Sequence, residues 1–238
     1  LNFLRTESAE AHAFYMDQML LANSDVVTAQ SAKNLETLDR VTMSDAAAAA
    51  TLSARGDIDM YGLTRETSDW ADATVSHASG TDRALTLAML DSVIQGALEN
   101  GVNYSDLILL TGYDTYQDLK ALMLSTTNNT FRADLSASGA GNSNGVVGEA
   151  GLNFDSRVGA YDGIPIFLSQ HVAKDTTSRV HLLDMSNMAV RIAAPTTYVD
   201  NQNLAVLQKL SKEFAFVTAG ELICYKFNTS GSVRDLNA

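Results

Sequence analysis

The sequence predicts an α+β fold, because helical patterns dominate the first half of the chain and strand patterns the second. Apolar residues recur at helical spacing between residues 81 and 100, whereas short alternating or continuous apolar runs recur between residues 164 and 228. With 238 residues, of which 46% are hydrophobic, the chain is long enough to bury a sizeable core. We expect the late strands to be antiparallel.

The first elements are a helix and a short alanine-rich helix. A helical pattern covers residues 5–22, and a mixed pattern over residues 26–43 favours extended structure. Ser44 is a suitable N-cap for a helix over residues 45–55. Residues 56–80 are polar and weakly periodic, which indicates a long surface excursion rather than core.

The strongest helical pattern covers residues 81–100. Its predicted apolar face consists of Leu87, Leu90, Ile94 and Leu98. Thr81 is the expected N-cap, and Asn100-Gly101 is the expected left-handed stop. Four consecutive apolar residues after Asp106 predict a buried strand, and Asp114 then begins another helix.

The last third of the chain is a predicted loop followed by strands. Residues 126–163 are rich in Gly, Ser and Asn, which is typical of a loop. Strands follow at residues 164–169, in SRVHLLDM and in MAVRIAA before Pro195. Residues 204–217 and 220–228 read as two long adjacent strands.

The charge balance restricts the possible partners. The net charge is −12, with 20 Asp, 8 Glu and only 6 Lys. Non-specific nucleic-acid binding depends on many basic contacts to phosphates, and this chain offers few. Many short carboxylates and few lysines suit a surface kept soluble in concentrated salt, and they equally suit an ordinary acidic protein.

Two features concern cellular location and processing. No stretch approaches the roughly 20 apolar residues of a membrane helix, and no signal-peptide pattern opens the chain. The chain opens on Leu1 rather than Met, so we expect either a maturation cleavage there or a boundary within a longer chain.

No residues have the spacing of a catalytic, cofactor or metal site. The glycine cluster lacks the Lys-Ser/Thr pair of a phosphate loop, and the four histidines lack metal-ligand spacing. Asp57 and Asp59 begin a pattern like a calcium loop, but its other ligands are absent. No GxSxG motif occurs. We therefore expect no catalytic residue, cofactor or metal. The glycines are Gly139, Gly141, Gly145, Gly148 and Gly151, and the histidines are His12, His77, His171 and His181.

Three further residues have structural interpretations. Cys224, in the apolar stretch ELICYKF, is expected to be a packed thiol, and His181 alternates with apolar neighbours in a predicted strand. Trp70 lies in the polar excursion. It is either an anchor in the chain's own core or an anchor buried in a neighbouring subunit.

From Thr81 onward the order of elements resembles the major capsid proteins of tailed viruses, which have the Hong Kong 97-type fold. The matching segments are TDRALTLAMLDSVIQGALENG, DLILLTGYDTYQDLKALM, GIPIFLSQHV, RVHLLDMSNMAVRI and FVTAGELICYKFNTSGSVRDL. The resemblance covers about two-thirds of the chain. The acidic, lysine-poor composition resembles versions from viruses of halophilic archaea.

The resemblance implies a division of the chain. Residues 1–32 would be an N-terminal arm, and residues 33–78 an extended loop region that overlies a neighbour. Residues 79–103 and 204–238 would form a peripheral domain with the long helix as its spine, and residues 104–203 an axial domain.

The implied function is an icosahedral shell around a double-stranded DNA genome. The implied partners are other copies in pentamers and hexamers, and also scaffold, portal and capsid-stabilising proteins. The shell would assemble in the host cytoplasm, without a membrane and without enzymatic activity. The alternatives are an encapsulin-like nanocompartment shell and an acidic enzyme with a dispersed active site.

Overall fold

A computed structural model describes residues 2–21, 35–51, 59–125, 157–201 and 213–237. The helices are α1 (Asn2–Leu20), α2 (Leu38–Val41), α3 (Asp45–Thr51), α4 (Leu87–Glu99) and α5 (Tyr113–Ser125). The strands are β1 (Thr74–Ser76), β2 (Leu107–Thr111), β3 (Arg157–Tyr161), β4 (Ile164–Leu168), β5 (Ser178–Asp184), β6 (Met188–Asn201), β7 (Glu213–Cys224) and β8 (Gly231–Leu236). None of the helices among these residues is both long and apolar enough to cross a membrane.

Six strands form one mixed sheet in the order β1-β8-β5-β2-β4-β3. Strand β1 is parallel to β8, and β2 is parallel to β4, while the other neighbours are antiparallel. The α+β class is confirmed, and the late strands pair with one another in antiparallel fashion as expected: β3 with β4, β5 with β8 and β6 with β7. Strands β1 and β2 come from the helical half of the chain, and each joins a late strand in parallel.

Helix α4 packs on this sheet and forms the main core. Leu90, Val93, Ile94 and Ala97 are buried against sheet residues that include Leu109, Leu182 and Val233. The predicted face was right at Leu90 and Ile94 and wrong at Leu98, which is exposed. The stop at Asn100-Gly101 is confirmed, with Gly101 at φ +84°. The helix begins at Leu87 instead of Thr81, so Thr81 is not its cap.

The expected boundary between residues 79–103 and 104–203 does not follow this packing. Helix α4 belongs to the first range and strands β2, β4 and β5 to the second, yet they share one core cluster. Strand β8, from the range 204–238, lies between β1 and β5 in the same sheet. We call the six-stranded sheet with α2 to α5 and the loops packed on it the body.

The region 33–78 differs from the expected extended loop. Its described residues contribute Val41, Met60 and Ala71 to a second core cluster, which they share with residues such as Leu183 and Leu222. The excursion predicted at residues 56–80 is therefore core in part, because Met60 and Ala71 are almost fully buried. A helical turn, α2, also interrupts the expected extended structure. The Ser44 cap is confirmed, since its Oγ accepts a hydrogen bond from Ala47 N at 3.2 Å.

Strands β6 and β7 form a separate two-stranded antiparallel hairpin. Strand β6 continues through Pro195, where two register shifts accommodate the missing N–H, so the end predicted before Pro195 is wrong. Strand β7 pairs with β6, whereas residues 204–217 and 220–228 were expected to pair with each other. Strand β8 was not predicted at all.

Helix α1 confirms the first predicted helix, within two or three residues at each end. The described part of the range 1–32 is a helix that packs on the hairpin, and the assignment of this range as an N-terminal arm stays a prediction. Most of the predicted glycine-rich loop, residues 126–156, lies outside the described residues. Residues 157–161 were placed in that loop, but they form β3, which pairs with β4 across the Asp162-Gly163 turn.

Candidate assembly surfaces

Helix α1 lies along one face of the β6–β7 hairpin. His12 Nε2 is 2.8 Å from Thr218 Oγ1, and the His12 ring lies 6.3 Å from the ring of Phe216. Nearer the helix start, the Arg5 guanidinium lies over the Tyr198 ring at 5.0 Å. Alternate residues of a strand share one face, so Phe214, Phe216 and Thr218 all face α1. We call α1 and the hairpin together the arm module.

The opposite side of α1 carries an exposed apolar stripe. Phe3, Leu4, Phe14 and Tyr15 are between 51% and 72% exposed. Residues eleven apart in a helix return to nearly the same direction, so the two pairs lie above one another about 16 Å apart. Ala11 and Glu7, which are also exposed, lie between them. A helix that turns its large apolar residues to solvent indicates a surface made for a partner.

The hairpin face that points away from α1 is also exposed and apolar, but its residues are small. In β7 it consists of Ala215, Val217 and Ala219, and in β6 of Thr197 and Val199, all of which are exposed. Thr197 pairs with Val217, and Val199 with Ala215. None of these five positions is charged. The arm module therefore has large apolar residues on one outer face and a flat surface of small residues on the other.

The arm module joins the body at the base of the hairpin, where Leu222 and Cys224 of β7 belong to the second core cluster, and through polar and aromatic contacts. The Asp17 carboxylate lies 3.6 Å from His171 Nε2, and the Phe14 ring meets the His171 ring edge-on at 4.4 Å. On the hairpin, Glu221 Oε1 accepts a hydrogen bond of 2.6 Å from Glu36 N. Burial raises the pKa of the Glu36 carboxyl, and the neighbouring Glu221 charge raises it further, while Arg40 opposes both.

Beneath this junction a buried ion cluster fixes α2 to the sheet. Asp39 forms ion pairs with Arg179 of β5 and Arg234 of β8, and all three side chains are almost fully buried. Despite its burial, which alone would raise its pKa, the two guanidiniums hold the pKa of Asp39 well below its usual value. His181 Nδ1 lies 2.9 Å from Thr42 Oγ1 in the same cluster.

The structural interpretation of His181 agrees with this setting. Burial lowers the pKa of His181 to about 4, with Asp39 opposing the shift and Arg179 and Arg234 adding to it. The imidazole is therefore neutral at physiological pH. A neutral, hydrogen-bonded histidine at 3% exposure is a packing residue rather than a reactive one.

Arg65 ties the segment after α3 to the body. Its Nε donates to Ala71 O at 2.8 Å, and its two terminal nitrogens donate to Arg40 O and Met43 O. Its guanidinium also lies over the Phe227 ring at 4.9 Å. The segment is irregular and lacks the backbone hydrogen bonds of a helix or strand, and the arginine supplies hydrogen bonds in their place.

The remaining sequence candidates do not converge on a site. Asp59 accepts a hydrogen bond from Arg65 N, and Asp57 lies outside the described residues, as do the five glycines of the cluster. His77 makes only a local contact to Ser79 N. Within the described ranges, no three His, Cys, Asp or Glu side chains form a group that could hold a metal.

The structure agrees with the interpretation of Cys224 and excludes one of the two interpretations of Trp70. Cys224 is buried, and burial raises the pKa of its thiol to about 11, in agreement with a packed thiol. Trp70 is 54% exposed, so it does not anchor the chain's own core. Its second interpretation, an anchor in a neighbouring subunit, stays a prediction. The arm module itself was missed, because its two faces depend on a pairing between strands that the sequence does not reveal.

Comparison with known proteins gives two kinds of match. The sequence profile of the SU10 major capsid protein family matches residues 23–207. The fold is similar to that in the capsid asymmetric unit of cyanophage A-1(L), with 17% identity, a TM-score of 0.59 and 94% of this chain covered. It is also similar to that in the capsid of the native GTA particle, with 11% identity, a TM-score of 0.56 and 100% coverage.

The two structural matches do not extend over the full length of the capsid proteins. This chain spans 65% of the length of each of the two capsid proteins. No curated protein sequence matches it. The two capsid structures have the Hong Kong 97-type fold, so the fold expected from the order of elements is confirmed.

Proposed function

The chain belongs to the SU10 major capsid protein family, and we propose that it is the subunit of an icosahedral shell that encloses the double-stranded DNA of a tailed virus. The observation that carries the proposal is the family match across residues 23–207 on a chain with a capsid fold. The proposed partners are further copies in pentamers and hexamers, together with scaffold, portal and stabilising proteins. Assembly takes place in the host cytoplasm, and the shell has no enzymatic activity of its own.

We also propose a division of labour that follows the packing. The arm module, α1 with β6 and β7, is the peripheral part, and the body is the axial part. In this division α4 belongs to the axial part rather than serving as the spine. The support is that α4 is buried against the six-stranded sheet, while α1 is the long helix that lies along the hairpin.

The direct test is to express the complete coding sequence and examine the product by negative-stain electron microscopy and light scattering. Closed particles, or pentamers and hexamers, are expected. Strictly monomeric protein at every salt and protein concentration would refute the proposal. A particle containing protein cargo instead of DNA, when isolated from its natural source, would favour a nanocompartment.

A further inference from the structure

The carboxyl group of Glu36 lies where the hairpin meets the body, and one of its oxygens lacks a hydrogen bond. Glu36 is 1% exposed, and its Oε2 atom is buried without a hydrogen-bond partner. The other oxygen, Oε1, lies 3.4 Å from Arg40 Nη1. A buried carboxylate oxygen that receives no hydrogen bond is costly, because it has lost its hydration without compensation. The site therefore suits a neutral carboxyl group better than an ionised one.

A second carboxylate adjoins Glu36 from the hairpin. Glu221 Oε1 accepts hydrogen bonds from Glu36 N at 2.6 Å and from Leu222 N at 3.0 Å. Both bonds go to the same oxygen, so Oε2 of Glu221 can accept a further donor. A protonated Glu36 has such a donor, because its carboxyl group then carries an O–H. One proton shared by the two side chains would satisfy Glu36 Oε2 and would also remove the repulsion between two negative charges.

Three other ionisable side chains face this pair. Arg40 of α2 is a constant positive charge beside Glu36. Tyr61 is a hydrogen-bonded hydroxyl, and burial raises its pKa, with the charges of Glu36 and Glu221 adding to the shift, so it stays neutral. Arg191 of β6 lies opposite Glu221 and is exposed to solvent, which screens its charge. The proton on Glu36 is therefore the variable charge at this junction.

We propose that a proton shared between Glu36 and Glu221 holds the hairpin on the body as a pH-dependent latch. Leu222 and Cys224 anchor the base of the hairpin in the second core cluster, so they form the pivot. In the closed state the proton is bound. When Glu36 releases the proton to solvent, the two carboxylates repel each other, and the arm module beyond Glu221 turns on the pivot into an open state. The inference concerns a single subunit and does not depend on the proposed shell function.

The pH range of the latch follows from the difference between the two states. In the open state Glu36 has its ordinary pKa of 4.5, whereas in the closed state burial and the Glu221 charge raise its pKa against the attraction of Arg40. Below pH 4.5 both states hold the proton, so closing does not depend on pH. Between 4.5 and the raised value only the closed state holds it, and the equilibrium constant for closing falls about tenfold for each pH unit. Above the raised value the constant stays at its lowest level.

Spin-label distances in the full chain, at dilutions that prevent assembly, test the latch. Labels at Ser92→Cys of α4 and Val217→Cys of β7, both exposed, report the distance between the body and the hairpin. Native Cys224 is buried, and wild-type protein taken through the same labelling is the control. We expect one narrow distance at pH 5 and a second population that grows toward pH 8, with the ratio of closed to open molecules falling about tenfold or more.

Three variants assign the effect to the proposed proton, and circular dichroism confirms that each is folded at each pH. Glu36→Gln supplies a permanent N–H donor to Glu221, so it should keep the closed distance from pH 5 to 8. Glu99→Gln removes the same charge at an exposed position of α4 and should behave like wild type. His171→Gln removes the other titratable contact between the arm module and the body, the one to Asp17, and should keep the pH dependence.

The proposal has three ways to fail. A distance that does not change with pH in the wild-type chain would overturn it, as would a Glu36→Gln chain that opens like wild type. Loss of the pH dependence in His171→Gln would assign the switch to the histidine and overturn the role of the carboxyl pair. Particle formation is measured separately, so each of these results leaves the shell function standing.

Discussion

Protonation of His181 should destabilise the folded subunit in mildly acidic solution. The side chain is 3% exposed, and burial together with two neighbouring guanidiniums lowers its pKa from 6.5 to about 4. In the unfolded chain the ordinary value of 6.5 applies. Between these two values the unfolded chain binds more protons than the folded one, so the free energy of unfolding falls as the pH falls.

The size of the effect follows from the width of that interval. The contribution of His181 is fully present above pH 6.5 and is lost progressively down to about pH 4. Each pH unit in which the unfolded chain holds one extra proton changes the free energy by about 1.4 kcal/mol. The whole interval therefore amounts to about 3 kcal/mol, which is a large part of the stability of an ordinary domain.

The assay compares wild-type protein with His181→Asn in urea unfolding at pH 8, 6.5, 5.5 and 4.5, at dilutions that prevent assembly. Asparagine keeps a polar atom toward Thr42 Oγ1 and cannot gain a proton, so its stability should depend less on pH. The readout is the pH slope, because the smaller side chain also lowers absolute stability. Parallel slopes in the two proteins between pH 6.5 and 4.5 would refute the reasoning.

Three further predictions concern packing, acid groups and salt. Gly231→Ala should destabilise the body more than Gly96→Ala, by about 1–3 kcal/mol, as measured by thermal unfolding. A Cβ at Gly231 would clash with the backbone oxygen of Thr74, whereas one at Gly96 meets only the Thr74 side chain, which can rotate. Glu36→Gln should gain stability relative to wild type as the pH rises above 4.5, because the folded state favours the protonated Glu36 carboxyl; an unchanged difference between pH 5 and 8 would contradict this. Particles should dissociate during dialysis from about 2 M to about 0.1 M NaCl, where the screening length grows from a few Å to about 10 Å; intact particles by light scattering would refute a halophilic origin but not the shell function.

Local periodicity predicted the elements whose apolar residues are continuous or regularly spaced along the chain. Strands β2, β4 and β5 and most of α4 were recognisable as apolar runs. The start of α4 was not, because Arg83 forms a bridge with Leu236 of β8 and exchanges backbone bonds with Asp235 and Asn237. These long-range bonds hold residues before Leu87 in an extended conformation that overrides their helical pattern.

The polar core was misread for a related reason. Arg65 lies in the segment predicted to be a surface excursion, and Glu36, Asp39 and Arg40 lie in the segment expected to be extended, yet all four are almost fully buried. Two of them have distant partners inside the fold: Asp39 meets Arg234, which lies 195 positions along the chain, and Arg65 meets backbone oxygens. Pairings over such distances leave no local pattern, so sequence reasoning assigns these residues to solvent.

The distribution of charge links the stability of one subunit to assembly. The buried ion cluster lies in the body, where removing one partner from a buried pair typically costs about 3–5 kcal/mol, so it favours one arrangement of α2 on the sheet. The outer side of α1 exposes Glu7 and Glu10 beside its apolar side chains, whereas the outer face of the hairpin carries no charge at Thr197, Val199, Ala215, Val217 or Ala219. Because each copy has a net charge of −12, the acidic surfaces of neighbouring copies repel each other wherever they meet. It follows that salt should act mainly on assembly, through repulsion between copies, and much less on the fold of the isolated body.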